Sequence, residues 1–152
     1  MRVRLATAGD IPGVASLVER YWDFESIGGF SRPRIETLLK RLLAEPEHGA
    51  CWVAESDGGL CGYLLAVIMF SLEHGGLMAE IDEVFVAPEA RSLGVGSLLF
   101  ARAERDLAAQ GLVRFQLQLG VGNVRAAHFY ERHGFSRRAG YELLDKPLAR
   151  GL

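Results

Sequence analysis

The sequence predicts a single α/β domain built on a mixed, mostly antiparallel sheet of six to seven strands, with a central parallel pair and about four flanking helices. Three observations predict it. The chain has 152 residues, 49% of them hydrophobic, with no repeat, low-complexity run or Ser/Pro/Gly-rich linker, which suits one core. Apolar runs and alternating segments fill its middle, and segments with helical spacing flank and interrupt them. A long helical pattern separates the strand-like LMAEIDEVFVAP from the strand-like VRFQLQLG, the arrangement of a crossover that joins parallel strands.

Each element has a local reason. Val3 to Ala6 reads as a short strand, and the TAGD after it has the form of a capping box with Asp10 in place of Glu, ahead of Pro12 in a first helical turn. That helix should run to about Tyr21, because Ile11, Val14, Ala15, Leu17, Val18, Tyr21 and Trp22 keep helical spacing on one apolar face. In DFESIGGFSRP, Gly28 and Gly29 make a mobile point and a candidate substrate lid, and Ser31 before Pro33 marks a second helix through Leu43. From Ala50 the period changes to that of strands. CWVAES, the turn Asp57-Gly58-Gly59 and LCGYLLAVIMF make an antiparallel pair, the second strand apolar enough to be covered on both faces. After the SLEHGG turn comes LMAEIDEVFVAP, ended by Pro88, which has no ladder donor. A helix follows from about Gly94 to Gln110, stopped by Gly111, and VRFQLQLG completes the crossover. Asn123 opens the last helix, NVRAAHFYERHG, stopped by Gly134, and FSRRAGYELLDKPL supplies one or two closing strands.

Composition narrows the function. A formal charge of -2 gives no overall basic field, so a nucleic-acid partner is not expected. The longest apolar run, Tyr63 to Phe70, is far short of the roughly 20 residues that span a bilayer, and MRVRLATAGD has no apolar leader core, so no membrane association and a cytoplasmic location are expected. Pairing about the Asp57 turn sets Cys51 opposite Leu64 or Leu65 rather than Cys61, so both cysteines should be free thiols. His48, His74, His128 and His133 show no zinc spacing, and no metal is expected. Ser97 and Ser136 lack a nucleophile-elbow context, which disfavours a covalent acyl-enzyme.

The chemistry centres on PEARSLGVGSLL. A strand that ends in Arg91, Ser92, Leu93, Gly94, Val95, Gly96 and then a helix makes an anion site, because the first helical N–H groups have no partners inside the helix and the dipole adds about half a positive charge. Glycines at 94 and 96 let a phosphate approach the backbone, and Arg91 can add a charged contact. It is not a dinucleotide fingerprint, which needs a third glycine where Leu99 stands, nor a P-loop, since Ser97 and Leu98 follow Gly96. Together with the downstream NVRAAHFYERHGF, the turn resembles the signature of the GNAT acyl-CoA-dependent N-acetyltransferases, Q/R-x-x-G-x-G/A followed by N-x-x-A-x-x-x-Y-x-x-x-G-F. The resemblance runs over the whole chain in element order, with Ser92 standing where many relatives carry glycine.

That resemblance implies acetyl-CoA as acyl donor, its pyrophosphate on the backbone of Arg91 through Gly96 with Ser97 close by. It further implies pantetheine along Val84, Phe85 and Val86, and a cofactor contact from Asn123. It makes Tyr130 the general acid for the departing thiolate. An alkyl amine of pKa near 10.4 is free base in less than about one part in a thousand at pH 7, so a base or positioned water is needed. The candidates are Asp82 and Glu83, which alternation sends to opposite faces: Asp82 with Glu80, Val84 and Val86, and Glu83 with Ile81 and Phe85. Strand alternation leaves the choice open; IDEVFV is similar to the spermidine/spermine acetyltransferase branch, which favours Glu83. The acceptor should enter by the Trp22 to Ser31 segment and the SLEHGG turn, where Asp23, Glu25, Glu73 and His74 make a mildly acidic mouth suited to a small-molecule amine. The alternatives are acetylation of a protein N-terminus or lysine, or a non-catalytic acyl-CoA sensor. Members of the superfamily often dimerise, so a homodimer is expected by resemblance.

Overall fold

The computed structural model describes residues 1–150, which pack as two units, Met1–Gln118 and the chain from Leu119 onward. The first unit holds a sheet of five strands in chain order: β1 (Arg2–Leu5), β2 (Gly49–Ser56), β3 (Gly59–Ser71), β4 (Gly76–Val86) and β5 (Phe115–Leu117). The first four are antiparallel to their neighbours, and β5 runs parallel to β4. Cys51 lies opposite Leu65, as the turn spacing predicts, and both cysteines are free and buried. Burial pushes the Cys51 thiol up to about 12, with Asp10 and Glu83 adding to the shift, so this thiol is an inert core group.

Alternation of the strands puts two different helical layers on the sheet. On one face lie α1 (Ile11–Phe24) and α2 (Arg32–Ala44), with Val14, Ala15, Leu17, Val18, Ile35 and Leu39 buried in a core with Cys51, Val53, Tyr63 and Phe85. The Asp10 carboxylate anchors the entry to α1. It accepts from the Thr7 N–H at 2.7 Å and takes both Nη groups of Arg4 at 2.7 and 2.9 Å, which holds it down at about 2. The Ser31 hydroxyl caps α2 through the Arg34 N–H at 3.5 Å. On the other face lies α3 (Val95–Ala109), which buries Val95, Leu99, Phe100, Ala103 and Leu107, and each large side chain among them contributes about 1.5–3 kcal/mol. Trp52, fully buried on this face, donates its indole N–H to Asp106 at 2.9 Å. Gly62 allows the close approach, since a Cβ there would sit 3.1 Å from the Phe85 carbonyl and 3.4 Å from the Leu99 and Val95 side chains. The second unit holds α4 (Val124–Arg132).

Three expectations are corrected. Among the described residues the sheet has five strands, not six to seven, because residues 135–150 form no ladder. Their alternation lasts only Tyr141 to Leu143 before two adjacent leucines break it, Gly140 is left-handed at φ 93°, and Tyr141, Leu143, Leu144 and Leu148 stay exposed. Without those strands, the parallel pair lies at the edge of the described sheet rather than its centre. Finally, strict alternation fails on β4. Glu83 lies opposite Leu65 and Ile81 opposite its neighbour Ala66, leaving Asp82 as the extra residue of a bulge. One extra residue resets the period of 2, so Ile81 and Glu83 point to opposite faces, while Glu80, opposite Val67, joins the face of Glu83.

Candidate active site

The bulge at Asp82 aims Glu83 into the α1 side of the sheet. There the carboxylate is half-buried and each oxygen accepts one bond, Oε2 from Trp22 Nε1 at 2.6 Å and Oε1 from the Tyr63 hydroxyl at 3.0 Å. Burial raises the Glu83 pKa above the usual carboxylate range. The two donors pull it back down and the Asp82 charge adds a smaller upward push. Tyr63 is fully buried, and desolvation followed by the neighbouring Glu83 charge drives its phenol far up, so it remains a donor at any physiological pH. Around them Trp22 meets Phe30 edge-on at 6.0 Å between centroids, and Tyr21 meets Phe85 at 5.8 Å. Asp82 is exposed, and crowding from the protein on one side raises its carboxyl, with the Glu80 charge second. Glu80 itself accepts from Gln116 Nε2 at 2.9 Å.

Beyond the bulge β4 loses one neighbour. The parallel ladder ends with Ile81 opposite Leu117, so along Glu83, Val84, Phe85 and Val86 only β3 pairs with β4 among the described residues. One backbone edge is left for an extended group. The chain then makes a 3-10 turn, Pro88–Ala90, and enters α3 through Ser92 at φ 67° and Gly94 at φ 75°. A Cβ on Gly94 would meet nothing within 4 Å, so glycine is needed there for its left-handed angle rather than for space. The N-cap of α3, Gly94, makes no side-chain cap bond, and the first backbone bond runs from the Leu98 N–H to the Gly94 carbonyl at 3.1 Å. The amides of Val95 and Gly96 precede that bond and face out of the helix end, as an anion site requires.

The Arg91 side chain lies beside the α1 face. Its Nε donates to the Val86 carbonyl at 3.0 Å, and its guanidinium lies 5.1 Å from the Phe24 ring centroid and 5.7 Å from that of Phe85. The side chain thus turns to the α1 face. Arg91 lines an open cleft of about 250 Å³ together with Arg20, Asp23, Phe24, Phe85 and Pro88. Arg20 is paired with Glu89 through two bonds of 3.0 and 2.8 Å. Asp23, expected in an acidic mouth, thus shares its cleft with two arginines, while Glu73 and His74 lie on the β3–β4 turn.

In the second unit the spelling NVRAAHFYERHGF has a structural reason at each marked position. Asn123 Oδ1 accepts from the Ala126 N–H at 3.2 Å and caps α4. Gly134 at φ 87° ends the helix in a Schellman motif, in which the Phe135 N–H bonds the Tyr130 carbonyl at 3.0 Å and the Gly134 N–H bonds the Glu131 carbonyl at 3.1 Å. The accompanying apolar contact is Tyr130 against Phe135, 5.8 Å between centroids. Burial pushes the Tyr130 phenol up, so it is protonated and able to donate near neutral pH. Asp82, Glu83, Val84 to Val86 and the Arg91 to Ser97 turn belong to the first unit, and Asn123 and Tyr130 to the second. Sequence reasoning missed Trp22 and Tyr63 as the groups that hold Glu83. The signal was there in part: a tyrosine inside an otherwise aliphatic strand needs a partner for its hydroxyl.

Residues 14–135 match the acetyltransferase (GNAT) family model. The chain is similar to an uncharacterized N-acetyltransferase of Archaeoglobus fulgidus, 30% identical over 139 residues, covering 90% of this chain and 94% of that one. A shorter match, 29% over 85 residues and 56% of this chain against 55% of its relative, is to the aminoalkylphosphonate N-acetyltransferase of Salmonella typhimurium. Among solved structures, an integron cassette protein from the mobile metagenome of Cole Harbour Salt Marsh superposes with a TM-score of 0.83 at 28% identity, over 98% of this chain and 91% of the other.

Proposed function

The chain belongs to the acetyltransferase (GNAT) family, and from that premise we propose that it transfers an acetyl group from acetyl-CoA directly to a primary amine of a small molecule. The observation that carries the reading is the open edge of β4 beyond Ile81, which leads, after one 3-10 turn, to the glycine-capped N-terminus of α3. An extended pantetheine arm suits the first feature and a pyrophosphate the second. The residues fit the cofactor by their backbone: Val84, Phe85 and Val86 would pair with the arm, and Arg91 through Gly96 would hold the diphosphate, with Ser97 close by. Asn123, besides its cap, would contact the adjoining arm. Acetyl-CoA supplies the activated thioester carbonyl.

The side chains supply the proton transfers. Glu83 takes a proton from the acceptor ammonium, directly or through water, because burial tunes its carboxyl toward neutrality while Trp22 and Tyr63 fix its direction. Asp82, exposed beside it, passes that proton to solvent. Tyr130 hydrogen-bonds the departing thiolate. The two units act as one domain, a reading supported by a family match that runs across their boundary. Two free, buried cysteines suit a reducing compartment, and we place the protein in the cytoplasm.

Thiol release from acetyl-CoA against a panel of amines tests the activity, and a thermal shift tests the cofactor site. Acetyl-CoA at one hundred times its Kd should stabilise the wild type by about 2.7 kcal/mol. Gly96→Glu sets a carboxylate at the mouth of α3 and should abolish the shift. An equal shift in both proteins would remove the assignment.

A further inference from the structure

The comparisons leave the acceptor open, and the α1 face of the sheet restricts it. Glu83 offers one anionic charge, fixed by two donors, and thus a place for one ammonium. The next side chain on the same face, one strand step of about 7 Å along, is Phe85. Its ring forms a wall of the open cleft with Phe24 and Pro88. Phe24 is 64% exposed at the last turn of α1, with the Arg91 guanidinium over its ring, so a planar group entering here takes the place of that side chain or packs beside it. The cleft's volume of about 250 Å³ lies just below the roughly 300 Å³ at which small-molecule pockets begin, enough for one compact group.

Charge at the rim decides the rest. Arg20 is neutralised by Glu89, and Asp23 shares the rim with Arg91, so the cleft holds no surplus of negative charge. A second ammonium entering it would meet two guanidinium groups balanced by two carboxylates, Asp23 and Glu89, with no net negative charge to receive it. Polyamines and aminoglycosides carry several cations and need several unpaired carboxylates, which this charge-balanced cleft does not offer. A flat apolar group meets aromatic faces that already stack one planar cation, Arg91, at 5.1 and 5.7 Å.

We propose that the cleft between Phe24 and Phe85 is the acceptor's side-group subsite, and that the acceptor is a primary monoamine bearing a compact apolar, planar group on a short linker. This assignment rests on the acetyltransferase reading of Glu83. The ammonium lies at Glu83 and the planar group enters between Phe24, Phe85 and Pro88.

The test compares 2-phenylethylamine, ethylamine, spermidine and kanamycin as acceptors by thiol release at one pH and ionic strength. The subsite predicts that kcat/KM for 2-phenylethylamine exceeds those of the other three by about tenfold or more, the scale of discrimination that a small apolar pocket supplies. Phe24→Ala, a change at an exposed position, should collapse the ratio of 2-phenylethylamine to ethylamine by a similar factor, with Phe24→Leu intermediate. Preference for spermidine or kanamycin overturns the proposal, and so does a Phe24→Ala effect confined to the KM of acetyl-CoA, which would give the cleft to the cofactor. Failure of the activity itself is separable from failure of the subsite. If no amine releases thiol, quenching of the half-buried Trp22 by 2-phenylethylamine but not by spermidine upholds the subsite without the reaction, and equal or absent quenching by both removes it.

Discussion

Glu83 carries the residue-scale argument. Only its ionised form accepts a proton, so the rate should fall as pH drops through its pKa, and burial sets that acid limb above the usual carboxylate range. The Tyr63 hydroxyl donates to the ionised form and lowers that pKa. Tyr63→Phe removes the bond with little change of shape, so the acid limb of kcat/KM should move to higher pH while the plateau holds. An unmoved limb would mean that Glu83 is not the titrating group. The linkage has the opposite sense for folding. A carboxyl raised in the folded state favours the fold at low pH, and that contribution is lost as pH rises through the folded pKa. Tyr130 is tested by Tyr130→Phe, which keeps the ring against Phe135 and should leave acetyl-CoA affinity unchanged. Turnover at saturation should fall by about 10² to 10⁴, or about 3–5 kcal/mol of barrier, if the hydroxyl stabilises the departing thiolate. A loss below about threefold in single-turnover kinetics would leave Tyr130 a helix-end aromatic only.

At the scale of elements, the turn into α3 is held by two left-handed residues, and only one of them is glycine. Ser92 at φ 67° keeps a Cβ where the backbone disfavours it and glycine would be at ease. Ser92→Gly should raise stability by about 1 kcal/mol in thermal unfolding, the strain relieved exceeding the added freedom of the unfolded chain. Ser92→Val should lower it by at least as much. If Ser92→Gly is destabilising, the serine hydroxyl contributes more to the turn than its angle costs. The bulge on β4 matters in the same way: one unpaired residue at Asp82 turns Glu83 toward Trp22 and Tyr63 and comes just where the parallel ladder stops.

At the scale of the whole molecule, stability is uneven along the chain. The first unit has a layered core on both faces of its sheet, whereas residues 136–150 form no helix or strand among the described residues and leave four large apolar side chains exposed. Brief trypsin treatment should therefore cut first after Arg137 or Arg138, well before any site in α1 or α3, as mass spectrometry of the fragments would read. First cuts in the arginine-bearing α2, with the tail intact, would show that the tail is covered in solution.

The sequence by itself determined whatever depends on neighbours along the chain. Helical spacing from Ile11 to Trp22, the turn that sets Cys51 against Leu65, and the stops at Gly111 and Gly134 are local, since each follows from the backbone preferences of a few consecutive residues. The two linked motifs around Gly94 and Tyr130 were legible for the same reason, and with them the family. What only the tertiary structure decided involves partners far apart in sequence. Nothing near Glu83 in the chain announces that Trp22, 61 residues away, and Tyr63, 20 away, hold its two oxygens. Nor does any local rule place the bulge at Asp82, because a bulge is a property of two paired strands rather than of one. Arg91 shows the difference most plainly: the sequence sets it beside the glycines, and only packing brings its Nε to the Val86 carbonyl and its guanidinium to the rings of Phe24 and Phe85.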